Sequence, residues 1–109
     1  MPHYYHLALE VGDTLDEDGA PVTWAACPDL PGAYEEATTA VEARALLLVL
    51  ARQIIAEHVV RDDALEPEIV ITAHPPTTDP GDMLIVPITD TDLDLARATP
   101  MLEIEAPEP

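Results

Sequence analysis

The pattern of apolar and polar residues predicts short strands on both sides of one long helix. Alternation over residues 3–11 predicts a strand with Tyr5, Leu7 and Leu9 on one face. Similar β-rich segments predict strands over residues 21–27, 33–37, 68–73 and 83–89. The acidic segment 12–19 is typical of a solvated hairpin loop. Near the end of the chain, residues 90–97 are compatible with a helical turn and residues 101–105 with an edge strand.

The long helix is predicted to begin after Thr39 and to run to about Val60. Thr39 is a suitable N-cap, and Glu42 three residues later can complete a capping box. At 100° per residue, one apolar stripe runs the length of this helix and is expected to lie on the sheet. The stripe consists of Val41, Leu48, Ile55 and Val59.

A second apolar group lies on a side of the helix that should otherwise be polar. Leu46, Val49 and Leu50 fall close to Glu42, Gln53 and Glu57 on the helical wheel. A surface helix normally keeps such a side polar, so something must cover these residues. Either the C-terminal segment or a second copy of the chain can do so. We expect a second copy, and therefore a homo-oligomer, either a dimer or a tetramer.

A rigid turn joins the second and third predicted strands. It reads Pro28, Asp29, Leu30, Pro31, Gly32. The two prolines fix φ and lack an N–H, which excludes a central strand, and glycine allows the positive φ of a sharp reversal. The aspartate is expected to accept backbone N–H groups within the turn, and the leucine to enter the core. A rigid connector explains this segment, and a direct contact with a partner is the alternative.

The turn, the short strand after it and the Thr39–Glu42 cap together resemble the signature of HicB-like domains over residues 3–90. The resemblance implies an α+β fold, a trimmed relative of ribonuclease H, with an antiparallel three- or four-stranded sheet and one long helix packed on one face. It also implies a HicB-like domain over residues 1–90. Most members are antitoxins that bind and neutralise a small RNA-cleaving protein.

The chain departs from that family at its C-terminal end. Many full-length antitoxins carry a DNA-binding module there, whereas residues 91–109 are short and acidic, with Arg97 as the only basic residue. We expect this extension to be partly disordered and not to bind DNA. The chain therefore resembles a stand-alone HicB-like domain.

Charge narrows the class of partner. The 109 residues include 22 acidic side chains, four arginines and no lysine, for a formal net charge of −18. Such a surface repels nucleic acid and attracts basic proteins. Adaptation to a high-salt cytoplasm is the other explanation of the acidity. The single cysteine, the absence of an apolar signal core and the lack of a membrane-spanning stretch lead us to expect a cytoplasmic protein that does not bind membranes.

No residue pattern predicts catalysis, a metal site or a cofactor. The histidines at positions 3, 6, 58 and 74 are scattered, and the chain contains no serine. Cys27 lies in acidic surroundings, which do not favour a thiolate. The carboxylates of Asp29 and of Glu10 or Glu35 do not form an acidic triad at motif spacing. We therefore expect a non-catalytic protein-binding module of the antitoxin type. The alternative is an orphan HicB-like oligomer that binds a small molecule or regulatory ligand.

Overall fold

The computed structural model describes residues 2–76 and 82–98, which form strands and helices in an α+β arrangement. The elements are β1 (His3–Ala8), β2 (Glu10–Leu15), β3 (Pro21–Ala26), β4 (Tyr34–Ala37), α1 (Ala40–Arg61), β5 (Val70–Thr72), β6 (Met83–Ile88) and α2 (Asp90–Ala98). The predicted α+β class and the long helix are confirmed. The predicted edge strand at residues 101–105 lies outside the described residues.

The strands form two antiparallel three-stranded sheets instead of the predicted single sheet. One has the order β5-β1-β6 and the other the order β2-β3-β4. The predicted first strand divides at Leu9, whose N–H donates to the carbonyl of Asp82 at 3.1 Å. Before this point the chain pairs with β6, and from Glu10 onward it pairs with β3. The division arises because one extended segment finds two different neighbours, which strand propensity cannot reveal.

The acidic segment predicted as a loop is shorter than expected. Its first half continues β2 as far as Leu15, opposite Pro21 at the start of β3. Asp16 then closes the hairpin, because its Oδ1 accepts the N–H groups of Asp18 and Ala20, each at 2.9 Å. An aspartate that bonds to nearby backbone N–H groups is a common way to fix a turn.

Helix α1 lies against both sheets, with contacts to β3, β4 and β6. Its fully buried side chains are small or aliphatic and recur at intervals of four residues: Ala43, Leu47, Ala51 and Ile55. The predicted stripe is correct only in its middle, where Ile55 is buried and Leu48 packs half-buried against the core; at its ends Val41 is 79% exposed and Val59 is 38% exposed. The middle of the helix is apolar on all sides, so its pattern did not identify the buried face. Alanine at two of the four positions lets the helix approach the sheets closely.

Helix α2 packs on α1 and begins at the residue where the predicted domain ends. Thr89 and Asp92 form a second capping box, in which the Asp92 carboxylate accepts the Thr89 N–H at 2.8 Å. The Asp92 N–H donates to the Thr89 hydroxyl at 3.3 Å. The Arg52 guanidinium of α1 donates to both Asp92 oxygens, at 2.9 and 3.1 Å. The first part of the predicted extension is thus a helix attached to the domain.

Replacement of Asp92 tests how α2 is attached. Asp92→Ala should lower the free energy of unfolding by about 1–2 kcal/mol, because it removes the carboxylate that accepts the Thr89 N–H in the capping box and also one partly buried ion pair. Asp94→Ala is the matched control: its partner Arg97 lies on the same helix and both side chains are exposed. Urea unfolding at neutral pH measures the difference. Equal losses in the two variants would contradict the assigned role of Asp92.

The same variant has a defined pH dependence. Burial alone would raise the pKa of the Asp92 carboxyl, but the bonds from Thr89 and Arg52 prevail and lower it. A carboxylate whose pKa is lower in the folded state stabilises the fold above its unfolded pKa, about 4, and loses that effect as the pH falls through the folded value. The stability difference between the parent and Asp92→Ala should therefore be full at pH 7 and shrink below about pH 4.

Candidate interaction sites

The Pro28–Gly32 segment forms two successive tight turns between β3 and β4. The Leu30 N–H donates to the Cys27 carbonyl at 3.0 Å, and the Ala33 N–H donates to the Leu30 carbonyl at 3.0 Å. A third bond, from the Cys27 N–H to the Ala33 carbonyl at 3.1 Å, closes the loop at its base. Leu30 is buried in the core, and Gly32 has a φ of +89°. The turn is thus held by its own backbone and anchored by one leucine.

Asp29 bonds elsewhere than the sequence predicts. Its Oδ2 accepts the N–H of Ala8 at 3.4 Å, so the carboxylate links the turn to the end of β1 and not to an N–H within the turn. The contact is long, and it joins residues 21 positions apart. Sequence reasoning missed this partner because it depends on how β1 passes beside the turn.

Cys27, at the base of the turn, is a buried thiol. Burial, together with the nearby negative charge of Asp29, raises its pKa to about 11. The side chain is therefore a protonated thiol at neutral pH and packs as a small apolar group.

The predicted cap of α1 is present. Thr39 has an extended backbone, and its hydroxyl accepts the N–H of Glu42 at 3.1 Å. The Thr38 hydroxyl donates to the Glu42 carboxylate, and with further bonds from Thr39 this lowers the pKa of Glu42 despite some desolvation. The cap fixes where the helix begins after β4. It lies on the exposed surface and serves helix geometry.

The predicted interface residues of α1 do not share one environment. Leu46 is 47% exposed and Val49 is 55% exposed, whereas Leu50 is half-buried. Val49 also lines an open groove of about 480 Å³ between α1 and α2, together with Leu95 and Ala96 of α2. Helix α2 therefore covers part of this side of α1, as one of the two alternatives predicted, and leaves Leu46 exposed.

Most of the basic side chains are already bonded within the chain. Arg44 donates to the Met83 carbonyl at 2.9 Å, Arg52 binds Asp92, and Arg97 donates to Asp94 at 3.2 Å. These bonds occupy three of the four arginines and leave the large excess of carboxylates as the dominant surface charge. The surface potential therefore favours cationic partners.

Within residues 2–76 and 82–98, no group of three or more histidine, cysteine, aspartate or glutamate side chains is placed to hold a metal ion. Glu10 lies opposite Ala26 of β3, and Glu35 lies opposite Ala25. Because neighbouring residues of a strand point to opposite faces, the two carboxylates lie on different sides of the sheet. Nor do the histidines cluster, since His6 pairs with Thr72 at 3.0 Å and His58 lies near the end of α1.

Sequence reasoning missed one surface feature, a pair of aromatic rings on the β2-β3-β4 sheet, of which Tyr34 is exposed and Trp24 half-buried. Trp24 of β3 and Tyr34 of β4 have ring centroids 6.1 Å apart and planes inclined by 18°. Within β3, Trp24 shares a face with Val22 and Ala26, because side chains alternate along a strand. The register that sets Tyr34 opposite Ala26 brings the second ring to that face, and the register was not predictable from either strand alone.

Comparison with protein-family models, with curated protein sequences and with solved structures finds no match for this chain. The resemblance to HicB-like domains therefore stays a prediction. Among the described residues, no helix combines the length and apolar character needed to cross a membrane.

The geometry of the turn predicts a strong effect at Gly32. Gly32→Val should lower the free energy of unfolding by about 1–3 kcal/mol, because a β-branched residue is strained at positive φ. A Cβ atom at this position would meet only the Ile54 side chain at 3.8 Å, so the cost comes from the backbone and not from a clash. Gly32→Asn is the control, since asparagine tolerates positive φ better and should cost less. Similar losses for both variants in urea unfolding would argue against a conformational cause.

Proposed function

We propose that this chain is a non-catalytic protein-binding module of the HicB antitoxin type, which binds and neutralises a small basic RNA-cleaving protein in the cytoplasm. The observation that carries the proposal is the charge of the surface. A net charge of −18, with three of four arginines bonded internally, gives a field that draws in a cationic protein and opposes contact with RNA or DNA phosphates.

The geometry around the turn gives further support. The Pro28–Gly32 turn leads from β3 to the short strand β4, which is followed at once by the Thr39 cap of α1. This is the order of parts on which the resemblance rests. The buried Leu30 and the positive φ of Gly32 explain why such a segment needs these residue types. In this proposal the turn shapes the domain, and the acidic surface binds the partner.

Co-expression with a basic partner is the deciding experiment. If a short reading frame beside the gene encodes a basic protein that arrests growth, the present chain should restore growth and co-purify with it. Complex formation should weaken as salt rises from about 0.05 to 0.5 M, because the Debye length falls below about 10 Å. Toxicity that persists without co-purification would show that the antitoxin assignment is wrong.

We also propose that the chain self-associates through the exposed apolar residues of α1. Leu46 and Val49 are three residues apart on the N-terminal half of the helix, so they are neighbours on its surface, and each is about half exposed. A second copy that covered these side chains would remove apolar surface from water at about 25 cal/mol per Å². The predicted assembly is a dimer or a tetramer, with Leu50 at its margin.

Light scattering tests the assembly. At micromolar concentration the mass should be at least twice the 11.8 kDa of one chain. Val49→Glu should shift the chain toward the monomer, because a carboxylate in an apolar interface between acidic copies is unfavourable. Val70→Glu is the matched control, since Val70 is equally exposed but lies on β5. If the unmodified chain is monomeric, no second copy covers Leu46 and Val49, and the proposed assembly is wrong. If only the Val70→Glu variant loses the assembly, the interface lies on β5 and not on α1.

The groove between α1 and α2 favours a second candidate function. Its volume of about 480 Å³ is within the range of small-molecule sites. Its lining combines apolar side chains of both helices with Gln53, Glu57 and the Arg52–Asp92 pair. In that case the chain is an orphan oligomer that binds a small regulatory ligand. If the chain neither rescues growth nor co-purifies with a toxic basic protein, binding of a small ligand in this groove becomes the better-supported function.

A further inference from the structure

The aromatic pair on the β2-β3-β4 sheet is built into the fold. Residues directly opposite in an antiparallel pair share a face, so Trp24, Gly12 and Glu36 lie on one side of this sheet. The side chain of Ala25 points to the other side, into the core beneath α1. The aromatic side of the sheet is therefore turned away from the long helix.

Gly12 makes room for the Trp24 ring. A Cβ atom on Gly12 would lie 2.6–2.8 Å from three atoms of the indole, closer than atoms can approach. The indole therefore rests directly on the backbone of β2. A glycine in a strand interior often marks such a close approach, and here it fixes the position of a large, half-buried ring.

Hydrogen bonding fixes the second ring. The Tyr34 hydroxyl donates to Glu36 Oε2 at 2.6 Å, although Tyr34 is 48% exposed. This bond holds the phenol nearly parallel to the indole. The Glu36 carboxylate has acceptor capacity for additional donors, since a carboxylate can accept about four hydrogen bonds. Glu10 adds a second exposed carboxylate on the same face, opposite Ala26.

We propose that the Trp24–Tyr34 pair, bordered by Glu10 and Glu36, is a docking site for an arginine side chain of a basic protein partner. The guanidinium stacks on the aromatic faces and donates to the neighbouring carboxylates. Arginine fits better than lysine, because its planar group stacks on rings and is more weakly hydrated than an ammonium. This inference rests on the proposed function, in that it states how the basic partner is recognised.

A second copy of the chain is a poor source of the arginine. Three of its four arginines, Arg44, Arg52 and Arg97, already donate to acceptors within the chain, so a copy could offer little besides Arg61 at the end of α1. Two copies that each carry a net charge of −18 would also bring Glu10 and Glu36 toward like charges. The site therefore fits a cationic partner of different sequence.

Trp24 is the only tryptophan, so its fluorescence reports directly on the site. The probes are a blocked peptide of alternating arginine and glycine, its lysine counterpart and its neutral citrulline counterpart. The arginine peptide should change the Trp24 emission saturably and bind more tightly than the lysine peptide, while the citrulline peptide should bind weakest. Equal binding of the arginine and lysine peptides would overturn the stacking geometry.

Substitutions distinguish binding at the Trp24–Tyr34 site from non-specific attraction to the acidic surface. Tyr34→Leu and Glu36→Gln should each weaken binding of the arginine peptide by about threefold to tenfold. Glu66→Gln removes the same charge in the segment after α1 and should change binding by less than about twofold. Circular dichroism checks that each variant is folded, and Glu36→Gln retains an acceptor for the Tyr34 hydroxyl. Equal weakening by Glu36→Gln and Glu66→Gln would overturn the proposal.

The peptide-binding experiments and the co-expression experiment can give different answers, so the arginine site and the antitoxin function are tested separately. Peptide binding that depends on Tyr34 and Glu36 supports the arginine site even if co-expression reveals no toxin. Rescue from a toxin by the Tyr34→Leu and Glu36→Gln variants with unchanged affinity would leave the antitoxin function intact and overturn the docking site.

Discussion

The burial of one narrow face of α1 against two sheets is the constraint on which the rest of this structure depends. Ala43, Leu47, Ala51 and Ile55 are fully buried, and the helix contacts β3, β4 and β6. The chain has no phenylalanine, so its core is mainly aliphatic and relies on close approach instead of large rings. This contact places the other features. The turn and β4 lead into the Thr39 cap of α1, α2 packs on α1, and the β2-β3-β4 sheet turns its aromatic side away from the helix.

The division of roles between core and surface follows from that arrangement. The most distinctive sequence motif, Pro28–Gly32, has a structural role: Leu30 is in the core, and the carbonyl and N–H groups of the turn bond to one another. Cys27 beside it is a buried, protonated thiol. Groups able to meet a partner lie elsewhere, on the exposed side of α1 and on the aromatic side of the sheet. The most distinctive motif of a sequence therefore need not be the place where the protein binds a partner.

The acidic surface determines which partners can bind the two apolar surfaces, namely the exposed side of α1 and the Trp24–Tyr34 pair. Uncharged apolar patches would attract many partners, whereas carboxylates around Trp24 and Tyr34 select cations and discourage acidic copies. On α1 the same acidity opposes self-association, so an assembly through Leu46 and Val49 would need apolar burial to exceed charge repulsion. The two proposed surfaces lie on different elements, and so occupancy of one does not block the other by direct overlap.

The sequence by itself determined the elements: the α+β class, the start of α1 at Thr39, the buried face of β1 and the need for glycine at position 32. These follow from local rules of capping, alternation and backbone freedom, which act over a few residues. Only the tertiary structure decided that the strands form two sheets, that Ala43 and Leu47 rather than Val41 face them, and that Asp29 bonds to Ala8. It also decided that Arg52 binds Asp92 and that Trp24 meets Tyr34. Each of these depends on which distant segments become neighbours, and an all-apolar helix or an isolated strand carries no local signal of its partner.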